Sequence, residues 1–335
     1  MRGRAPGVAA AGGVALAAWG VTRLAAPHVS WAPDAVVLAL LFGMIVHAVR
    51  PLPASWEEGV GFMGRQVLEV AIVVLGVTTD LQRFAAAGPL LVACTVGTTI
   101  VALGAGILIG RWSGLGRRHA VLVASGNAIC GNTAIVAVAR ASGATALETA
   151  SAIASTALLS IGLVLALPVI GTVTGLDDAR YGALAGMTVY AMPQVLAATF
   201  PVSGAASEVG TMVKLVRVLL MVPWLVWLGR QAREGAAPAP GSGVGAALRK
   251  VLPWYLVLFL VGAGVRTAGI IPPPVAQGAQ VLAHALTVAA MAGVGLAVSP
   301  DSIRTAGVRT TLAALASMSL LLLVALVVVR FVLPG

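Results

Sequence analysis

The fold is decided by a polar stretch at the centre of one apolar run, Ser125-Gly126-Asn127-Ala128-Ile129-Cys130-Gly131-Asn132-Thr133. The run as a whole, residues 119–139, is long enough to cross a bilayer, because about 20 helical residues span the hydrocarbon. Two amides and two glycines at its centre predict a helix that loosens at mid-membrane, where freed backbone groups face a cavity. Transporters place substrate sites at such helices. The alternative is a small-residue face that packs closely against a neighbouring helix.

Composition indicates the class of protein. The chain has 335 residues, of which 59% are hydrophobic and only 10% are charged, whereas soluble domains carry about 25% charged residues. The net charge of +10 is spread over loops, which indicates membrane topology rather than binding to nucleic acid. Cys94 and Cys130 form neither a disulfide framework nor a zinc pattern. We therefore predict an all-α, polytopic transmembrane helix bundle that has no cofactor and no metal centre.

Eleven apolar spans are predicted, near 8–26, 34–50, 67–82, 90–111, 119–140, 147–170, 181–200, 208–229, 252–270, 278–298 and 306–333. The first is a retained helix rather than a cleaved signal peptide, because its exit, Arg23-Leu24-Ala25-Ala26, is a poor cleavage site. We expect one transporter domain over 1–335. Residues 1–33 would be an extra N-terminal helix, 34–333 the core, and 230–250 a cytoplasmic loop rich in Gly, Pro and Ser.

Positive charge predicts the orientation. If the N-terminus is cytoplasmic, 14 Lys and Arg residues lie in cytoplasmic segments and 5 in periplasmic segments. The cytoplasmic set is Arg2, Arg4, Arg50, Arg65, Arg111, Arg117, Arg118, Arg180, Arg230, Arg233, Arg249, Lys250, Arg304 and Arg309. The periplasmic set is Arg23, Arg83, Arg140, Arg266 and Arg330. Because positive charge gathers on the cytoplasmic side, this division favours a cytoplasmic N-terminus and a periplasmic C-terminus.

An internal repeat links two distant parts of the chain. Residues 76–88 resemble residues 295–307, and each copy joins two apolar runs through a short polar segment that contains an acid and an Arg. The second runs end at Arg111 and Arg330, which keep the same offset of 219 residues. The copies begin at predicted spans three and ten. An odd separation gives them opposite orientations, which predicts the inverted repeat common in secondary transporters.

Two further spans contain unusual polar residues. Pro193 removes a backbone donor from the seventh span, and Gln194 places an amide near the freed carbonyls, which predicts a second wall of the cavity. The alternative is an ordinary Pro kink with Gln at a helix interface. In the eighth span, Lys214 and Arg217 lie on one helix face without an evident counter-ion, which indicates an anion as their partner. The alternative is snorkelling of both side chains towards the membrane surface.

The motifs that indicate a family are 76–88, Ile129-Cys130-Gly131, 189–198, the Lys214-Leu215-Val216-Arg217 stretch up to Pro223, and 293–307. In these motifs the chain resembles the YeiH-like proteins of bacteria, described as sulfate exporters and distantly similar to the sodium–proton antiporter and bile-acid symporter superfamily. The resemblance covers residues 34–333. The family often has Ala or Ser where this chain has Asn132, and His-Glu where this chain has Tyr190-Ala191. Loss of that His-Glu pair removes a proton-handling group that the resemblance would imply.

The residues and the resemblance together predict a secondary active transporter, not an enzyme, that exports a small anion such as sulfate or an organosulfonate by alternating access. The predicted substrate-binding residues are Ser125, Asn127, Cys130, Gly131, Asn132, Thr133, Tyr190, Pro193, Gln194, Lys214 and Arg217. Coupling to Na⁺ or H⁺ and assembly as a homodimer in the lipid bilayer are further expectations.

Three alternatives to this function are open. The first is a sodium-coupled organic-acid carrier, with Na⁺ near Asn127, Asn132 and Gln194. The second is a membrane-embedded sensor or structural protein that transports nothing. A membrane enzyme ranks third, because the sequence contains no catalytic set with recognised spacing.

The charge division makes a testable prediction about the loop 230–250. In a variant without native cysteines, Ser242→Cys should not react with a membrane-impermeant maleimide added to intact cells, because this loop is cytoplasmic. Ser142→Cys, in a predicted periplasmic segment, is the matched control and should be labelled under the same conditions. Efficient labelling at position 242 would overturn the orientation.

Overall fold

The computed structural model of the chain describes residues 4–25, 34–50, 52–79, 81–231, 254–298 and 307–333. These residues form thirteen helices and no strand, so the predicted all-α class is confirmed for the described part of the chain. The helices are α1 Ala5–Ala25, α2 Ala35–Val49, α3 Ala54–Gly76, α4 Leu81–Trp112, α5 Arg117–Ser125, α6 Asn132–Ser142, α7 Ala146–Thr174, α8 Asp178–Thr188, α9 Met192–Thr199, α10 Gly204–Gln231, α11 Trp254–Thr267, α12 Pro273–Leu296 and α13 Val308–Val332.

Seven of the described helices are long and apolar enough to cross a bilayer: α1, α3, α4, α7, α10, α12 and α13. The shorter apolar helices are α2 and most of α11. The predicted spans 119–140 and 181–200 each form two helices, α5 with α6 and α8 with α9. The count of eleven crossings stays a prediction. The loop 230–250 lies outside the described residues from position 232 onwards.

The chain packs as two compact units. Unit 1 consists of Met1–Arg83, Leu196–Gly204 and Trp254–Asp301. Unit 2 consists of Phe84–Val195, Ala205–Pro253 and Ser302–Gly335. Unit 2 therefore contains α5 to α8 and nearly all of α10, which carry most of the residues predicted to bind substrate.

Glycines bring the helices of unit 1 into backbone contact. A Cβ on Gly76 of α3 would clash with the carbonyl oxygen of Phe259 in α11, and a Cβ on Gly295 of α12 would clash with the carbonyl oxygen of Leu40 in α2. Small residues allow this close approach in membrane bundles, where van der Waals packing drives helix association. Gly76 and Gly295 are equivalent positions of the two repeat copies. In each copy, the first glycine lies against the backbone of a neighbouring helix.

The last glycines of the two repeat copies are also alike. Gly88 has a φ of 78° and Gly307 a φ of 73°, both with an extended ψ, a combination that only glycine adopts readily. Each precedes or begins an apolar stretch of 25 residues, in α4 and in α13. The acidic residues of the copies, Asp80 and Asp301, lie outside the described residues. The opposite orientation of the copies stays a prediction.

In unit 2, two glycines of α8 bring this helix against α10. A Cβ on Gly182 would clash with the carbonyl oxygen of Ala206. A Cβ on Gly186 would lie 2.6 Å from the carbonyl oxygen of Gly210 and 2.8 Å from Cβ of Val213. The four-residue spacing puts both glycines on one face of α8. As a result, the carboxyl end of α8 lies directly beside the middle of α10.

The contact between α8 and α10 predicts a large cost for one added methyl group. Gly186→Ala should lower the free energy of unfolding by about 1–3 kcal/mol, because the new Cβ overlaps backbone and side-chain atoms of α10. Gly162→Ala in α7 is the matched control, since nothing lies within 4 Å of its added Cβ. Thermal unfolding of both purified variants in detergent measures the difference. Equal melting temperatures would contradict the close helix contact.

Candidate functional site

The first helix interruption lies in the stretch that the sequence singled out. Helix α5 ends at Ser125, a π-helical turn follows over Gly126–Cys130, and α6 begins at Asn132. Between them Gly131 has φ 65° and ψ −130°. An L side chain is strained at this φ, and a Cβ there would also lie 3.4 Å from Cβ of Tyr190. Gly131 therefore allows the chain to leave one helix and start the next within a single residue.

The second interruption follows α8. The helix ends at Thr188, and Val189 is extended with φ −66° and ψ 146°. Helix α9 then starts at Met192, so Pro193 lies in its first turn. Backbone N–H groups in the first turn of a helix have no acceptor within the helix, so the missing N–H of proline removes no helical hydrogen bond. The side chain of Gln194 turns back, and its Oε1 accepts the N–H of Ala191 at 3.2 Å. Pro193 and Gln194 thus begin a helix rather than bend one.

Lys214 and Arg217 of α10 bind both interruptions. Nζ of Lys214 donates to the carbonyl oxygens of Ile129 at 2.6 Å and Val189 at 2.7 Å. Both side chains are buried, with exposed fractions of 0% for Lys214 and 1% for Arg217. Such burial excludes the snorkelling alternative for the described structure, because neither charged group reaches a surface.

The guanidinium of Arg217 makes four hydrogen bonds to backbone carbonyls. Nε donates to Ala128 at 2.9 Å, and Nη2 to Asn127 at 2.9 Å. Nη1 donates to Gly186 at 2.8 Å and to Val189 at 3.1 Å. Asn127 and Ala128 belong to the π-helical turn that follows α5, and Gly186 and Val189 lie at the carboxyl end of α8. The fork of donors in Arg fits two helix ends at once, which a single ammonium does less well.

Helix ends explain why cations lie at this position. The last carbonyls of a helix have no intrahelical donor, and the helix dipole places about −0.5 elementary charge there. In a membrane no water is available to satisfy them. Hydrogen bonds from charged donors contribute roughly 1.5–3 kcal/mol each, which offsets the desolvation of the two cations. Lys214 and Arg217 therefore complete the backbone hydrogen bonding of both interruptions.

The two amide side chains of the first interruption have different environments. Asn127 is buried, and its Nδ2 donates to the carbonyl of Ala314 at 2.9 Å and to Oγ of Ser317. Its Oδ1 is buried without a hydrogen-bond partner in the described structure. Asn132 is exposed, and its Oδ1 accepts from Oγ1 of Thr156 at 3.3 Å. Asn132 therefore faces accessible space, whereas Asn127 holds the interruption against α13.

The other predicted residues divide into buried and accessible ones. Ser125 is buried and accepts from Nε1 of Trp224 at 3.0 Å. Tyr190 is buried, and its hydroxyl has no partner in the described part of the chain. Thr133 is exposed, and Cys130 is partly exposed. The fully exposed part of the site is therefore the amino end of α6.

Four residues of the site were missed by reasoning from the sequence. Helix α7 presents Thr156 to Asn132 and Ser160 to Gln194, with 2.8 Å between Nε2 of Gln194 and Oγ of Ser160. Two hydroxyls four residues apart on an apolar helix are the signal that indicates this face. Helix α10 adds Met221 and Trp224, which contact Cys130 and Ser125. They continue the face of Lys214 and Arg217 at helical spacing.

The structure thus brings nine of the eleven predicted residues into or directly beside the two interruptions through hydrogen bonds and close contacts, namely Ser125, Asn127, Cys130, Gly131, Asn132, Tyr190, Gln194, Lys214 and Arg217. Pro193 and Thr133 belong to the first turns of α9 and α6. No group of three or more His, Cys, Asp or Glu side chains that could hold a metal ion occurs in the described segments.

Comparison with known proteins gives consistent matches over most of the chain. A family model described as conserved hypothetical protein 698 matches residues 6–314. A UPF0324 membrane protein of Bradyrhizobium diazoefficiens is 38% identical over 299 residues, which are 89% of this chain and 84% of that protein. A UPF0324 membrane protein of Agrobacterium fabrum is 38% identical over 295 residues, 88% and 82% of the two chains. A UPF0324 membrane protein of Bacillus cereus is 32% identical over 286 residues, 84% and 82%. No solved structure matches the chain.

The membrane-length helices and the apolar composition define an integral membrane protein that crosses the bilayer several times. Within this class, the chain belongs to the UPF0324 family, which is the YeiH family that its motifs indicated. The predicted family is thereby confirmed.

The hydrogen bonds of Arg217 predict its contribution to stability. Arg217→Gln should lower the free energy of unfolding by about 3 kcal/mol, because several buried carbonyls lose their donor. Arg217→Lys should recover part of this loss, since an ammonium keeps the charge but has fewer donors. Arg140→Gln, at an exposed position of α6, is the matched control. Melting temperatures in detergent that are equal for Arg217→Gln and Arg140→Gln would show that the interruptions do not depend on Arg217.

Proposed function

We propose that the protein is a secondary transporter of the bacterial inner membrane that moves a small anion, such as sulfate or an organosulfonate, by alternating access. The observation that carries the proposal is the pair of buried cations, Lys214 and Arg217, whose six hydrogen bonds all end on backbone carbonyls of two helix interruptions. Interrupted helices near a membrane midplane are the usual substrate sites of secondary transporters.

The electrostatics of the site support an anion. Each interruption places a carboxyl helix end, with about −0.5 charge, near an amino helix end with about +0.5 charge. These partial charges cancel approximately, so the formal charges of Lys214 and Arg217 remain. The protein offers the permanent positive charge of Arg217, and a second one when Lys214 is protonated, in a region shielded from water, where electrostatic attraction is stronger than in solution. A small anion with one or two negative charges complements this arrangement.

The accessible groups of the site can contact such an anion directly. Asn132 and Thr133 are exposed in the first turn of α6, where backbone N–H groups also lack helical acceptors. Gln194 holds the corresponding turn of α9 in place through Ala191 and Ser160. In this mechanism the amino helix ends and the side chains of Asn132 and Thr133 bind the anion. Lys214 and Arg217 provide the field, and each retains one N–H beyond its carbonyl bonds.

A sodium-coupled organic-acid carrier is the second candidate, and Asn127 is the observation in its favour. Its buried Oδ1 accepts no hydrogen bond from the described residues, and a cation would satisfy such an acceptor. Arg217 opposes a cation there, because its Nη2 lies 2.9 Å from the carbonyl oxygen of the same residue. A cation at this side chain would be repelled by the positive charge of Arg217, and the repulsion is strong in a region shielded from water. Sodium dependence of flux separates the two carriers.

A sensor or structural protein without transport and a membrane enzyme are the remaining alternatives. Flux into proteoliposomes separates a carrier from a sensor, because only a carrier moves substrate across the bilayer. Exposure of purified protein to candidate substrates, followed by analysis of the recovered compounds, separates a carrier from an enzyme.

Ligand-induced stabilisation tests the proposed binding residues. Sulfate or methanesulfonate should raise the melting temperature of the wild-type protein, because a ligand that binds only the native state stabilises it by about 2.7 kcal/mol at 100 times Kd. Asn132→Ala and Thr133→Ala should remove most of this increase with little effect on the ligand-free protein, since both side chains are exposed. Thr172→Ala, exposed in α7, is the control. Full stabilisation of both site variants would place the ligand elsewhere.

A further inference from the structure

In the described part of the chain, the two cations of the site are held by hydrogen bonds to backbone dipoles. Every hydrogen bond that the structure gives to Lys214 and Arg217 ends on a neutral backbone carbonyl. The ion pairs Arg4–Glu58, Arg65–Glu69, Arg180–Asp177 and His284–Asp34 involve other side chains. Carbonyl groups accept from all but one N–H of each side chain, but they leave the formal charge in place.

At least one of these charges is permanent. A guanidinium does not deprotonate in proteins, so Arg217 stays positive whatever occupies the site. Arg217 is also anchored, because its donors are shared between the interruption after α5 and the one after α8. The cation therefore cannot move away to a water-filled surface without breaking the hydrogen bonds that hold both interruptions.

Alternating access requires the site to pass through a state that is closed to water on both sides. A charge without a counter-ion is strongly disfavoured in such a state, whereas a bound anion removes most of that penalty. The barrier to reorientation is thus expected to be much higher for the empty carrier than for the loaded one.

We infer that the protein is an obligate anion exchanger. After it has released one anion, the site reorients to the original side of the membrane only when it has bound a second anion. This inference rests on the proposed function and adds its mode of transport. It also names a second substrate class, a small anion on the opposite side of the membrane that complements the same two cations. Export of one anion is then coupled to uptake of another, without a need for Na⁺ or H⁺.

Exchange and net flux can be compared directly in proteoliposomes. The purified protein is reconstituted, the membrane potential is held at zero with K⁺ and valinomycin, and uptake of radiolabelled sulfate is measured. One batch of vesicles contains unlabelled potassium sulfate, and the other contains the same concentration of K⁺ with a bulky buffer anion in place of sulfate. Exchange predicts that uptake into the sulfate-loaded vesicles is about 100-fold faster, which corresponds to about 2.7 kcal/mol in barrier height.

The outcomes separate this inference from the proposed function. Equal uptake into both batches would overturn obligate exchange and leave anion transport intact. Absence of uptake into either batch, together with no stabilisation of the protein by sulfate, would contradict the proposed anion transporter itself.

Charge variants test whether the cations set the exchange requirement. Arg217→Gln and Lys214→Gln each remove one positive charge, and the ratio of exchange to net flux should fall to about 10 or below. Arg217→Lys keeps the charge while losing hydrogen bonds, so it should retain a high ratio even where its stability and total flux are reduced. A merely structural role would not produce this difference between Gln and Lys. Arg140→Gln is the matched control, and it should behave as the wild type.

Discussion

The structure of unit 2 depends on satisfying backbone carbonyls where two helices stop inside the membrane. Without water, an unpaired carbonyl costs free energy that apolar packing does not recover. Lys214 and Arg217 supply the missing donors, and they reach the ends of both helices from a third helix, α10. The two interruptions are therefore not independent features, since the same pair of side chains holds them.

Close helix packing makes this arrangement geometrically feasible. Gly182 and Gly186 allow α8 to lie against α10 with backbone contact, so the carboxyl end of α8 comes within reach of Arg217. In the interruption between α5 and α6, the turn at Gly131 ends the π-helical segment before α6 begins. Thr156 and Ser160 of α7 then fix the amino ends of α6 and α9. The glycines thus allow short distances between the helices, and the polar side chains form hydrogen bonds at the helix ends.

Local chemistry made the helix interruptions predictable from the sequence, but not the partners of the cations. Asn127, Gly131 and Gln194 are anomalous in apolar runs, so their neighbourhoods could be identified without coordinates. The carbonyl acceptors of Lys214 and Arg217 lie 25 to 90 residues away and carry no side-chain signal, because any residue has a carbonyl.

The lengths of the spans were less predictable where charged residues occur. Helix α3 begins at Ala54 rather than near residue 67, and its first half contains Glu57, Glu58 and Arg65 in exposed positions. These side chains lower the local hydropathy without ending the helix. The sequence does not decide whether residues 181–200 form one kinked helix or two helices, because Pro193 is compatible both with a kink and with the first turn of a new helix.

The position of the cations on α10 has a consequence for biosynthesis. During translation, the residues that contribute the carbonyls, Asn127 to Ile129, Gly186 and Val189, are made before Lys214 and Arg217. Until α10 arrives, these carbonyls need water or a chaperone, and α10 itself inserts poorly alone, since each charged residue at a helix centre costs about 2.5–3.5 kcal/mol at the translocon. Insertion of α10 and completion of the two interruptions are therefore coupled, because each supplies the hydrogen-bonding groups that the other needs.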